Sequence, residues 1–152
     1  MAQQPIGSAI SGYSGRVLVD KLGIKPGSKV VFVNPPENYY TILGALPVGA
    51  KVIGVARALK LERAIDFIQC FSKTREDVES RIAALKSCLR SDGMFWISWP
   101  KGSSGVETDL NENVIREIGL ANGLVDVKVC AVDETWSGLK FVFRLKDRPP
   151  LE

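Results

Sequence analysis

Hydrophobic residues in this chain fall into runs whose spacing changes from one segment to the next. Val30-Val31-Phe32-Val33 and Met94 to Trp99 (MFWISW) are apolar at successive positions. Neighbouring side chains of a strand point to opposite faces, so such runs predict strands covered on both sides, as in parallel sheets. Lys51 to Ala56 (KVIGVA) and Ile65 to Phe71 (IDFIQCF) are further runs of strand type. Between the runs the spacing becomes helical. Ser14 can cap a short helix through about Leu22, with Val17, Leu18 and Leu22 inward and Gly23 as its stop. Pro36 suits a first helical position and Glu37 the positive end of a helix dipole, which predicts a helix from about Pro36 to Leu46.

Ser72 or Thr74 can cap the next helix, with Glu76 and Asp77 in its first turn. Val78, Ile82, Leu85 and Leu89 then share one face, and Arg90 with Ser91-Asp92-Gly93 ends the run. Thr108 or Asp109 caps a last helix, with Val114, Ile118 and Ala121 inward and Gly123 terminating it. The C-terminal segments VDVKVCAV and LKFVFRLK mostly alternate apolar with polar, and DETWSG joins them. A period of two predicts antiparallel strands with one covered face. The order of elements predicts a three-layer α/β domain over residues 14–148, Rossmann-like, with a mostly parallel sheet of five or six strands ending in an antiparallel hairpin. Residues 1–13 read as an extended arm anchored by Tyr13. The stretch RALKLER, between the second and third strands, is too short for a helix and a strand, so an element is missing there.

Composition removes more than it adds. At 152 residues the chain suits one domain. Its net charge of +3 is dispersed, which argues against a nucleic-acid partner. No apolar stretch approaches the roughly 20 residues a membrane helix needs, and the first residues lack the pattern of a signal peptide. Cys70, Cys88 and Cys130 are widely spaced and read as reduced, buried residues of a cytoplasmic protein. The end of the chain, 149–152, reads as a tail whose Leu151-Glu152 resembles a vector-derived scar. There are 0 histidines. That excludes Ser-His-Asp and Cys-His nucleophile systems, histidine bases and most zinc or iron sites, so no catalytic and no metal residue is assigned.

The segments LGIKPGSKV, IDFIQCF, ALKSCLRSDGMFWISW and the final hairpin together resemble class I S-adenosylmethionine-dependent methyltransferases, over about Gly15 to Lys146. SGYSG, KLGIKPG, SWPKGSSGVETDL and GLVDVKVCAVDETWSGLKFVFR resemble, nearly end to end, a small bacterial family of unknown function with a Rossmann-like core. The resemblance implies a methyltransferase-like fold and leaves the activity open. In a methyltransferase of this class an acidic residue and a glycine-rich turn follow the first strand. Here that place holds Asn34-Pro35-Pro36-Glu37-Asn38. Prolines lack an N–H, and Arg57 has the wrong sign where a carboxylate should hold ribose hydroxyls. The resulting expectation is no cofactor, with S-adenosylmethionine disfavoured. Asn34-Pro35-Pro36 is also similar to the Asn-Pro-Pro-Tyr motif of amino-methylating enzymes. In those enzymes, however, the motif follows the fourth strand and an aromatic residue comes directly after the prolines.

Ligands of open parallel sheets sit at the carboxyl ends of the strands. Three loops are expected there: Asn34 to Asn38, Phe71 to Thr74, and Trp99 to Thr108. The candidate ligand-site residues are Asn34, Glu37, Asn38, Trp99, Lys101, Asp133 and Trp136. Asn34, Glu37 and Asn38 offer side-chain polar groups. Trp99 and Lys101 flank a Gly/Ser-rich loop suited to an anion. Asp133 offers a base, and Trp136 a stacking face. Each also has a plain structural reading: a rigid turn, a flexible connection, a hairpin. The functional expectation is a non-catalytic domain that binds a small ligand or a protein on a degenerate methyltransferase-like scaffold. The alternatives are a divergent S-adenosylmethionine-dependent methyltransferase and a structural subunit that dimerises through its sheet edge.

Overall fold

The computed structural model describes residues 17–150. The expected arm, Tyr13 and the Ser14 cap lie outside the described residues, as do Leu151 and Glu152. Helix α1 (Leu18–Leu22) ends at Gly23, whose φ of 86° is the left-handed conformation that glycine adopts most easily. Then come β1 (Lys29–Val33), α2 (Tyr39–Leu43), β2 (Lys51–Val52), α3 (Val55–Ala58), β3 (Ile65–Phe71), α4 (Arg75–Cys88) and β4 (Leu89–Pro100). The 3₁₀ turn Gly102–Ser104, α5 (Glu112–Ala121), β5 (Leu124–Ala131), β6 (Trp136–Phe143) and a final 3₁₀ turn, Leu145–Asp147, complete the fold.

The strands form one sheet of six in the order β2-β1-β3-β4-β6-β5. β1 pairs parallel with both β2 and β3, and β3 parallel with β4. β6 runs antiparallel to β4 and to β5. This is the mostly parallel sheet with a terminal antiparallel hairpin that the patterning predicts. On one face α1 and α2 bury Leu18, Leu22, Tyr39 and Leu43 against Val30, Phe32, Phe67 and Trp96. On the other, α4 and α5 bury Val78, Ile82, Ile115 and Ile118 against Val31, Ile68, Phe95, Ile97 and Phe141. Two cores explain why β1 and β4 are apolar at consecutive positions. Among the described residues no helix is long and apolar enough to cross a membrane.

Several boundaries differ from the sequence reading. The helix expected from Pro36 to Leu46 is only α2, because Asn38 is left-handed (φ 67°) and Gly44 (φ 93°) ends it. The second strand is two residues long, since the chain leaves the sheet at Ile53 and turns into α3. That single helical turn is the only helix or strand between β2 and β3. Ser91-Asp92-Gly93 does not stop a helix. α4 ends at Cys88, and Leu89 already pairs with Ile65 as the start of a 12-residue β4. Asn111, not Thr108 or Asp109, caps α5: its Oδ1 accepts from the Val114 N–H at 2.9 Å. The buried stripe of α5 is Ile115, Ile118 and Gly119, while Ala121 is exposed. Cys70 and Cys88 are buried thiols, whereas Cys130 is only partly covered. Burial pushes the Cys70 thiol up to about 11.

Candidate functional site

The order of strands reverses between β1 and β3: β2 follows on one side, β3 and β4 on the other. A crevice at the carboxyl ends of such strands is the usual ligand site of an open α/β sheet. Here it is a cleft of about 510 Å³. Asn34 and Pro36 line it from the loop after β1; Phe71, Ser72, Lys73 and Thr74 line it from the end of β3. Asp77 of α4 and Trp136 of β6 complete the wall. The volume falls within the roughly 300–1,000 Å³ of small-molecule sites.

Asn34 shapes the first loop. Its φ of 55° is left-handed, a conformation that asparagine tolerates far better than most residues with a side chain. Asn38 repeats the device at φ 67°, and its carbonyl accepts from Thr41 and Ile42 to start α2. Tyr39 then anchors the loop from beneath. Its hydroxyl donates to Oε1 of Gln69, and Nε2 of Gln69 donates to Oγ of Ser98 at 3.1 Å. Gln69 and Ser98 are both fully buried. Burial drives the Tyr39 phenol far above its ordinary value, so it remains a neutral donor. An aromatic chain continues upward. Tyr39 meets Phe71 edge to face at 4.8 Å between ring centroids, and Phe71 meets Trp136 at 5.3 Å.

The second loop is held from both sides. Thr74 Oγ1 accepts from the Asp77 N–H at 3.1 Å and so caps α4. The Ser72 hydroxyl donates to the Asp77 carboxylate, which also receives Nε of Arg81 at 2.9 Å. Burial would raise the Asp77 pKa, but these two hydrogen bonds hold it below the usual carboxylate range. From the far side the Thr108 hydroxyl donates to the Lys73 carbonyl, and Asp109 Oδ1 accepts from the Arg75 N–H at 2.8 Å. The Lys73 backbone is thus pinned while its side chain is exposed beside the cleft. Its ammonium makes no ion pair among the described residues.

Of the sequence-predicted site residues, the structure brings Asn34 and Trp136 together at this cleft. Glu37 and Asn38 are exposed on the same loop but outside the cleft lining. Trp99 is buried in the core beneath α4 and α5, so its ring is not offered to a ligand. The Lys101 N–H donates to the Thr135 carbonyl at 2.7 Å, and its own carbonyl accepts from Ser104, which ties the β4–α5 loop to the hairpin. Asp133 Oδ1 accepts from the N–H groups of Thr135 and Trp136 at 2.8 and 2.7 Å; its carboxylate shapes the turn that presents Trp136. Lys73, Ser72 and Asp77 are cleft residues that the sequence reading did not single out. The signal available was a cation and two hydroxyls between the end of a predicted strand and a predicted cap.

The fold is that of the class I S-adenosylmethionine-dependent methyltransferases. A methyltransferase of this kind from Aquifex aeolicus superposes with a TM-score of 0.62 at 14% identity, over 83% of this chain and 87% of that one. Fibrillarin from Aeropyrum pernix, with natively bound S-adenosylmethionine, gives 0.58 at 12% identity, over 90% and 73%. Magnesium protoporphyrin IX methyltransferase from Synechocystis, with bound S-adenosylhomocysteine, gives 0.52 at 12%, over 90% and 81%. No protein-family model matches the sequence, and no curated protein matches it in sequence. At these identities the likeness is one of fold.

These neighbours correct the expectation of no cofactor, because solved structures of this fold hold S-adenosylmethionine or S-adenosylhomocysteine. The physical grounds for that expectation also weaken in the structure. Asn34 makes the left-handed turn for which a glycine was sought. Arg57 is an exposed residue of α3, five positions beyond the end of β2, so its sign says nothing about a ribose at that strand end. The cleft also suits the group. Lys73 can pair with a carboxylate, Asn34 can hydrogen-bond an amine, and Phe71 with Trp136 offers an apolar wall.

Proposed function

We propose that this chain is a ligand-binding domain on a methyltransferase-like scaffold, holding S-adenosylmethionine or S-adenosylhomocysteine in the cleft at the β1–β3 switch point, without transferring the methyl group. The observation that carries this reading is the coincidence of the cleft with the switch point of the sheet, where one cation stands beside aromatic and amide side chains. The second half of the reading rests on how the remaining polar groups are occupied. The Asp77 carboxylate is engaged by Ser72 and Arg81, the Tyr39 hydroxyl is buried on Gln69, and Asp133 is bound to two backbone N–H groups. Neither Asp77 nor Tyr39 is left to take a proton from a methyl acceptor, and Asp133 is not part of the cleft lining.

Isothermal titration with both compounds tests the reading, paired with an assay for labelled-methyl transfer to added small nucleophiles. Saturable binding that Lys73→Ala weakens, with no label transferred, is the expected result. The absence of binding for either compound contradicts the proposal. Binding accompanied by transfer replaces it with the divergent methyltransferase.

A further inference from the structure

Away from the cleft, four lysines meet on the sheet face that α1 covers. Lys128 of β5 and Lys140 of β6 stand directly opposite each other in the antiparallel register. Like charges in that relation destabilise a sheet. The Lys128 ammonium donates to the Lys21 carbonyl at 3.0 Å, and the Lys21 ammonium to the Ala131 carbonyl at 3.2 Å. The Lys21 carbonyl holds the Lys128 ammonium in place without neutralising it. Lys140 is partly buried; its Nζ lies 4.0 Å from where a Cβ on Gly23 would stand. Burial, together with the charges of Lys128 and Lys25, holds the Lys140 pKa below its ordinary value. Lys25, Lys128 and Lys140 make no ion pair among the described residues. Residues 1–16, which precede α1, contain no Asp or Glu that could supply one.

We propose that Lys25, Lys128 and Lys140 form a binding site for a small, multiply charged phosphate-type oxyanion. Neighbouring ammonium groups without carboxylate partners are costly alone and favourable around a trivalent or tetravalent anion. The size of the ligand follows from what surrounds the lysines. Asp66 and Asp92 line the adjoining pocket together with Lys25 and share one cation, Arg90, at 3.4 and 3.3 Å, so they keep an excess of negative charge that disfavours a long polyanion running past it. The site is independent of the cleft: Lys140 lies four residues along β6 from Trp136, about 13 Å at the rise of a strand.

Inorganic tripolyphosphate is the probe, titrated calorimetrically at low ionic strength into the wild-type chain, Lys128→Gln/Lys140→Gln and the distant control Lys60→Gln. The wild type and the control should bind alike, and the double variant at least about tenfold more weakly. Melting without anion provides a second reading. Lys140→Gln should melt higher than the wild type, because it removes like-charge repulsion, and this advantage should vanish when tripolyphosphate is added. Failure of the wild type to bind tripolyphosphate would overturn the site. So would equal binding by the double variant, a lower melting temperature for Lys140→Gln, or binding of a short oligonucleotide in place of tripolyphosphate.

Discussion

Asn34 and Asp77 both line the cleft but have different duties: one shapes a backbone, the other holds two side chains. For Asp77, the lowered folded pKa fixes the sign of its pH dependence. The unfolded chain takes up the proton first as the pH falls. The stabilisation is therefore complete above about pH 4, the unfolded value, and is lost as the pH drops through the lower folded value. Asp77→Asn should cost about 1 kcal/mol near neutral pH, with the deficit shrinking in acid. Urea denaturation of both proteins along a pH series checks this; a deficit independent of pH would contradict it. The residue scale is also where the sequence was hardest to read. Nothing in Asn34-Pro35-Pro36-Glu37-Asn38 signals that two asparagines take left-handed φ, because most asparagines do not. Trp99 looked like a ligand face and is a core residue, since β4 is covered on both sides up to its last residue. Lys73 is marked in sequence only by its place between the end of β3 and the cap of α4, since a single lysine in a loop has no pattern of its own.

At the scale of elements, legibility followed the number of constraints on each segment. β1 and β3 were readable because both their faces are buried, and β3 runs over the expected Ile65–Phe71. α4 was readable from its cap and its stripe of Val78, Ile82 and Leu85. Its end was not, because Leu89 continues the helical spacing while starting a strand. α5 was placed approximately, but with its stripe shifted by a residue. The reason is Gly119, which lets the helix approach β6 closely enough that an added Cβ would lie 2.1 Å from Cε1 of Phe141. Helix propensity alone predicts that Gly119→Ala stabilises the chain by roughly 1 kcal/mol. Phe141 is fully buried and cannot yield, so overpacking should win. A net loss of about 1–3 kcal/mol is expected. A lowered urea midpoint confirms the packing of α5 on β6, and a raised one contradicts it.

For the whole molecule, the class of fold was legible because it depends on the order of elements rather than on their ends. Alternating strands and helices followed by a period-two hairpin leave few arrangements other than a parallel sheet with an antiparallel edge. The place of the cleft was not legible, because the two familiar cofactor contacts, a glycine turn and a carboxylate at a strand end, are not at their fixed places in the sequence. The three-dimensional arrangement supplies a cleft between β1 and β3 from residues spread over four elements and loops, Asn34 to Trp136. The central claim is that this cleft is where the chain takes its ligand. The direct test is an amide-shift titration of ¹⁵N-labelled protein with S-adenosylhomocysteine. Saturable shifts should concentrate at Asn34, Ser72, Lys73 and Thr74 and at the Trp136 indole. No saturable shift, or shifts confined to the Pro26–Gly27 turn at the opposite end of the strands, would contradict the account.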